Sequence, residues 1–300
     1  MRVILGTETR PHGTWILKIS HVLHVECHNK VVEILDIFIK TQSEMLETIA
    51  NEIVEKIQKS GRFFVFGTGH SHMVGEEFYA RAGGLACIQL IAPMELTLGE
   101  HPLKSTQIER IADYASVIML QYGLKENDII LISSNSGRNS MPIELAIKCK
   151  ELGMSVIAFT NLKQSKSVTS RHSSKQKLYE VCDYVIDNCG EIGDAMMQVE
   201  GAKGKMGSSS SIVGMFMAQL LSMLLAQNLA KAGIEPPVFL SANVDDGDAW
   251  NQEIMKSITI FRGQDYVKGM DTLPSLWWEN KSKSEKRYRI EKFSSLLSKM

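Results

Sequence analysis

The chain is predicted to be an α/β protein built on a doubly wound, Rossmann-like parallel sheet of five strands flanked by helices. Two observations carry this expectation. Short apolar runs alternate with helical patterns through the middle of the chain, and small-residue loops join two of the runs to the helices that follow. Strand, helix, strand repeated in this way implies a parallel sheet covered on both faces.

The elements follow in order. Apolar residues recur at helical spacing over residues 31–57 (Val31, Leu35, Phe38, Met45, Ile49, Ile53, Ile57), predicting one long amphipathic helix, or two, that ends near Gly61. Strands are then expected at 63–66, 87–91, 129–132, 156–159 and 184–186. The helical patterns fall at 73–82, 107–122, 140–152 and about 210–231. The last is the most apolar stretch, yet Gln219, Ser222, Gln227 and Asn228 interrupt it, which predicts a buried core helix and not a membrane span. Residues 1–29 show no sustained period and read as an N-terminal appendage. Residues 30–262 read as the domain, and 263–300 as a basic tail that carries Lys281, Lys283, Lys286, Arg287 and Arg289.

Composition excludes several classes of function. The 33 basic residues nearly balance the 34 acidic ones, so no overall field recruits nucleic acid or an anionic membrane. Neither partner is expected, and an anionic ligand must be held by local groups. The five cysteines include no CxxC pair, and the N-terminus lacks the pattern of a secretory leader, which together predict a reducing, cytoplasmic location.

Ligands of open α/β sheets bind beyond the carboxyl ends of the strands, so the loops there decide the function. Two are informative. In the first, Gly67-Thr68-Gly69-His70-Ser71-His72, glycines let the backbone approach an anion, the helix that follows offers free N–H groups, and Ser71 adds a hydroxyl. A dinucleotide loop would need glycine where His72 stands. In the second, Ser133-Ser134-Asn135-Ser136-Gly137-Arg138-Asn139, small hydroxyl and amide groups again precede a helix and suit phosphate oxygens. Neither loop contains the GxxxxGK[ST] pattern of a nucleoside-triphosphate site.

These two loops, with the serine run 207–211 before a long helix, resemble the sugar isomerase (SIS) domain over about residues 30–262. Ser170-Arg171-His172 and the segment 237–243 strengthen the resemblance to a bacterial group of SIS proteins described as phosphoheptose or amino-sugar isomerases. The resemblance implies the SIS fold and a phosphorylated sugar as ligand. It places the phosphate on Ser71, Ser134 and Ser136, with Asn139 standing where the family has threonine, and the backbone of Gly67 and Gly69 is expected to approach the same phosphate. His70, Asn135, Arg138, Lys205 and Ser208 are expected to contact the rest of the substrate. Many SIS proteins are dimers or tetramers with sites completed across subunits, which implies a homodimer or homotetramer here.

Aldose–ketose isomerisation needs a base between adjacent carbons and an acid between their oxygens. Among Glu95, Glu100 and His101, all after the second strand, Glu100 is the first choice for base, and His172 for proton shuttle, with His101 a further candidate. No cofactor is expected, and no metal. Asp245, Asp246 and Asp248 miss the EF-hand spacing, while His21, His24 and His28 would share a helix face, with Cys27 nearby, but lie in the appendage. Two other readings use the same phosphate site: elimination or ether cleavage on a phosphorylated amino sugar, and a phosphosugar sensor without turnover.

Overall fold

The computed structural model describes residues 14–261, and side chains over residues 22–255. Helix α1 (Thr14–Gln58) comes first, so the expected boundary at residue 29/30 falls inside one continuous helix. There follow β1 (Phe63–Gly67), α2 (His72–Phe78), β2 (Ile88–Ile91), α3 (Pro102–Ile108), α4 (Tyr114–Gln121), β3 (Ile129–Ser133), α5 (Ser140–Glu151), β4 (Ser155–Thr160), α6 (Leu162–Ser167), α7 (Leu178–Val181) and β5 (Tyr184–Asp187). A hairpin of β6 (Ala195–Gln198) and β7 (Lys205–Ser208) leads into α8 (Ser209–Lys231), and α9 (Gly247–Phe261) closes the described chain. The expected tail, 263–300, lies outside the described residues.

The five strands form one parallel sheet in the order β2-β1-β3-β4-β5, the doubly wound arrangement that was expected. Because side chains alternate along a strand, Phe63 and Val65 face one core and Phe64 and Phe66 the other. On the first face lie Phe38, Leu46, Ile49 and Ile53 of α1, with Val213, Met217 and Leu221 of α8. On the second lie Ala115 and Ile118 of α4, with Ile143, Leu145 and Ala146 of α5. Each such side chain, fully buried, stabilises the fold by roughly 1.5–3 kcal/mol before entropy is set against it. By length and composition α8 passes for a membrane span, but Val213, Met217, Leu221, Leu225 and Leu229 are buried in this core, as a core helix requires. Burial also pushes the Cys87 and Cys149 thiols up to about 12, so both act as packing residues.

Two differences from expectation matter to the site. The pattern over 107–122 predicts one helix, whereas α3 starts earlier, with His101 as N-cap and Pro102 in its first turn, and breaks before α4. The break frees Glu109 to reach the sheet-end loops. The β6–β7 hairpin is not among the expected elements, because β7 is wholly exposed and shows no apolar signal.

Candidate active site

The sheet changes winding direction between β1 and β3. After β1 the chain enters α2, which packs with α8 on one face, and after β3 it enters α5 on the other. Such a switch point leaves a crevice beyond the strand ends. Gly67 pairs with Ser133 in register, so the two small-residue loops leave the sheet side by side. The first loop is tight: a Cβ on Gly67 would lie 2.4 Å from the Ser71 carbonyl oxygen, and Gly69 holds φ +54. His72 Nδ1 meets the Gly69 carbonyl and ties the turn.

In this crevice lies a small pocket of about 10 Å³. Ser71 and His70 of the first loop line it with Ser133 and Asn135 of the second, Phe159 of β4, Asn188 after β5, and Ser210, Ser211 and Met215 of α8. The floor is fixed by amides. Asn188 Nδ2 donates to Asn135 Oδ1 at 2.8 Å, while the Asn135 carbonyl accepts from Asn161 N at 3.0 Å and Thr160 Oγ1 at 3.2 Å. The α8 N-terminus is already occupied, since the Asp194 carboxylate accepts from Ser210 N and Ser210 Oγ, both at 2.8 Å, and from Ser208 Oγ at 2.6 Å. An internal anion thus satisfies the helix end.

The structure brings some expected residues together and separates others. His70, Ser71 and Asn135 line the cavity, whereas Gly67 and Gly69 do not and serve the turn that carries His70 and Ser71. Ser134 and Ser136 do not line it. Ser134 is buried in a turn, where its N–H donates to the Phe159 carbonyl and its carbonyl accepts from Gly137 N. Asn139 caps α5, with Nδ2 donating to Glu109 Oε1 at 2.8 Å and Oδ1 accepting from Arg171 Nη1 at 2.6 Å. Arg138 stands next to it in the same loop. Ser208 is exposed and turned to Asp194, and Lys205 is exposed on β7.

None of the three residues expected to act on protons lines the cavity. Glu100 is exposed and paired with Lys104. His101 is exposed at the head of α3, where its Nδ1 accepts from Leu103 N at 3.2 Å. His172 is buried between Glu144 (Nε2 to Oε2, 2.8 Å) and Ser174 (Nδ1 to Oγ, 2.8 Å). Glu95 is also engaged, and the Tyr114 hydroxyl holds its carboxyl below the usual carboxylate range. His70 is the one ionisable side chain among the cavity-lining residues. Ser133, Asn188, Ser210 and Ser211 line the cavity without having been singled out. The serines stood in runs already recognised, while Asn188 follows a strand with no loop signature. Among the described residues no group of three or more His, Cys, Asp or Glu is arranged to hold a metal, and the His21 side chain lies outside the described residues.

Comparison with known proteins places the chain in a family. The SIS domain model matches residues 27–161. Among solved structures, the chain is similar to a phosphoheptose isomerase from Neisseria gonorrhoeae, at 14% identity over 70% of this chain and 99% of that one, with a TM-score of 0.46. A UPF0309 protein of Halalkalibacterium halodurans is 45% identical over 215 residues, 72% of this chain and 89% of the relative. Another, from Shouchella clausii, is 40% identical over 214 residues, 71% of this chain and 87% of the relative. The extent and level of that identity place the chain in the UPF0309 family of SIS-domain proteins.

Proposed function

We propose that the chain binds a phosphorylated sugar in the cavity at the β1/β3 switch point. The observation that carries this reading is the convergence there of two hydroxyl- and amide-bearing loops that leave the sheet in register. The phosphate belongs to the β1 and β3 loops and not to α8, because the Asp194 carboxylate at the α8 N-terminus would repel it. Ser71 and Ser133 then meet phosphate oxygens, and Asn188, Ser210 and Ser211 face the sugar hydroxyls.

The reaction proposed for this site is aldose–ketose isomerisation without a redox cofactor. It calls for groups that move protons at the sugar carbons, and His70 lines the cavity while Glu100 stands on the neighbouring sheet-end segment. A second reading, sensing without turnover, is favoured by the single ionisable side chain among the cavity-lining residues. Titration calorimetry with hexose and heptose phosphates, followed by an isomerase assay on every ligand that binds, tests both. Ser71→Ala and Ser133→Ala are each expected to weaken binding about tenfold, the loss of one hydrogen bond to a charged group. His70→Gln and Glu100→Gln are expected to keep binding while one of them stops turnover. A ligand that binds but is never converted supports the sensor reading.

A further inference from the structure

At the first turn of α5, Arg171 lies near Arg138, Arg110 and the Glu109 carboxylate. Glu109 is held there by Thr68 Oγ1 at 2.7 Å and Asn139 Nδ2 at 2.8 Å, and its carbonyl accepts from Met141 N of α5 at 3.0 Å. Arg171 reaches Asn139 Oδ1, and its backbone N–H donates to the Arg138 carbonyl at 2.8 Å. Arg110 follows Glu109 directly and is exposed. None of the three guanidinium groups has an ion-pair partner among the described residues. Arg138 Nη2 makes one long contact, 3.3 Å to Thr169 Oγ1, while its Nε is buried with no hydrogen-bond partner.

This arrangement is costly without a ligand. Three positive charges lie near a single carboxylate, and the buried Arg138 Nε–H has no hydrogen-bond partner. Burial, then Arg138 and Arg110, lower the Arg171 pKa against the opposing pull of Glu109, so like charges do press on one another here. Guanidinium groups are the side chains best matched to phosphate and carboxylate oxygens. The cluster is connected to the pocket through the chain, since Arg138 shares a loop with Asn135, and Thr68 shares one with His70 and Ser71.

We propose that Arg110, Arg138 and Arg171 form a second oxyanion site that takes a second charged group of the ligand, so that the preferred ligand is a doubly anionic sugar, a bisphosphate or a phosphorylated sugar acid. The assignment of ligand class rests on the cavity being a phosphosugar site; the oxyanion site itself does not. Titration calorimetry on the full chain compares fructose 6-phosphate with fructose 1,6-bisphosphate and glucose 6-phosphate with 6-phosphogluconate. In at least one pair the second anionic group is expected to tighten binding about tenfold, the worth of one charge-assisted contact. Arg110→Gln, at an exposed residue that holds nothing else, is expected to abolish most of that gain and leave the monophosphate affinity within about twofold. Equal affinity within both pairs, or a gain that survives in both Arg110→Gln and Arg171→Gln, overturns the proposal. If no sugar phosphate binds, the cavity reading has failed, and pyrophosphate then decides the oxyanion site alone. Pyrophosphate binding that weakens about tenfold in Arg110→Gln and Arg171→Gln supports that site, and binding that is absent or unchanged overturns it.

Discussion

Gly67 shows how far a single residue governs this site. A methyl group there would fall within 2.5 Å of the Ser71 backbone and 2.8 Å of His72 N, so the turn that presents His70 and Ser71 exists only because residue 67 has no side chain. Gly67→Ala is expected to lower stability by about 1–3 kcal/mol, as overpacking does, and to abolish sugar-phosphate binding. Urea denaturation and calorimetry check the two effects, and an unchanged affinity contradicts this account of the loop. Much of this was legible in the sequence, because two small-residue loops after apolar runs announce an anion site. What the sequence did not reveal was which side chains enter the cavity. Ser133 and Ser134 are adjacent and chemically alike, yet a turn closed by the Gly137 N–H buries Ser134 while Ser133 lines the cavity. A hydrogen bond to a residue on another strand, here Phe159, leaves no local trace in composition.

At the scale of elements, the two loops are level because β1 and β3 are held in register from the opposite end. Asp128, fully buried, accepts from Arg62 N at 2.9 Å, Arg62 Nε at 3.1 Å and Lys125 N at 3.0 Å, and it pairs with Arg62 Nη2 at 2.5 Å. Ile129 N donates to the Arg62 carbonyl beside it. Removing the carboxylate leaves a buried guanidinium unpaired, so Asp128→Ala is expected to cost about 3–5 kcal/mol in urea denaturation. A loss under about 1 kcal/mol would mean the pair is not what fixes the register. The strands and long helices were legible because burial writes itself as apolar period. The α3/α4 break and the β6–β7 hairpin were not, because tertiary contacts hold them. Glu109 is drawn to Thr68 and Asn139, and the Asp194 carboxylate ties the hairpin to the head of α8. The engagement of Glu100 with Lys104 and of His172 with Glu144 is of the same kind, since sequence spacing did not single out either partner.

For the whole molecule, the near-balance of charge leaves ligand binding to local groups, and the arginine cluster is one place where positive charge gathers. A second whole-molecule feature is the outer surface of α1. Val25, Val32 and Ile39 recur every seven residues along it and are exposed, as is Met223 of α8. Exposed apolar residues at heptad spacing are the pattern by which helices pair, and a two-fold interface presents the same patch twice. We therefore expect a homo-oligomer through α1: light scattering should give a multiple of the chain mass, reduced by Val32→Glu, and a monomeric wild type contradicts this. The central claim, a phosphate held by the β1 and β3 loops, is tested most directly by thermal shift with phosphorylated sugars beside their unphosphorylated counterparts. A ligand that binds only the folded state raises its melting temperature. The account predicts a rise with one or more sugar phosphates and none with the free sugars. No rise with any sugar phosphate, or an equal rise with the free sugars, contradicts it.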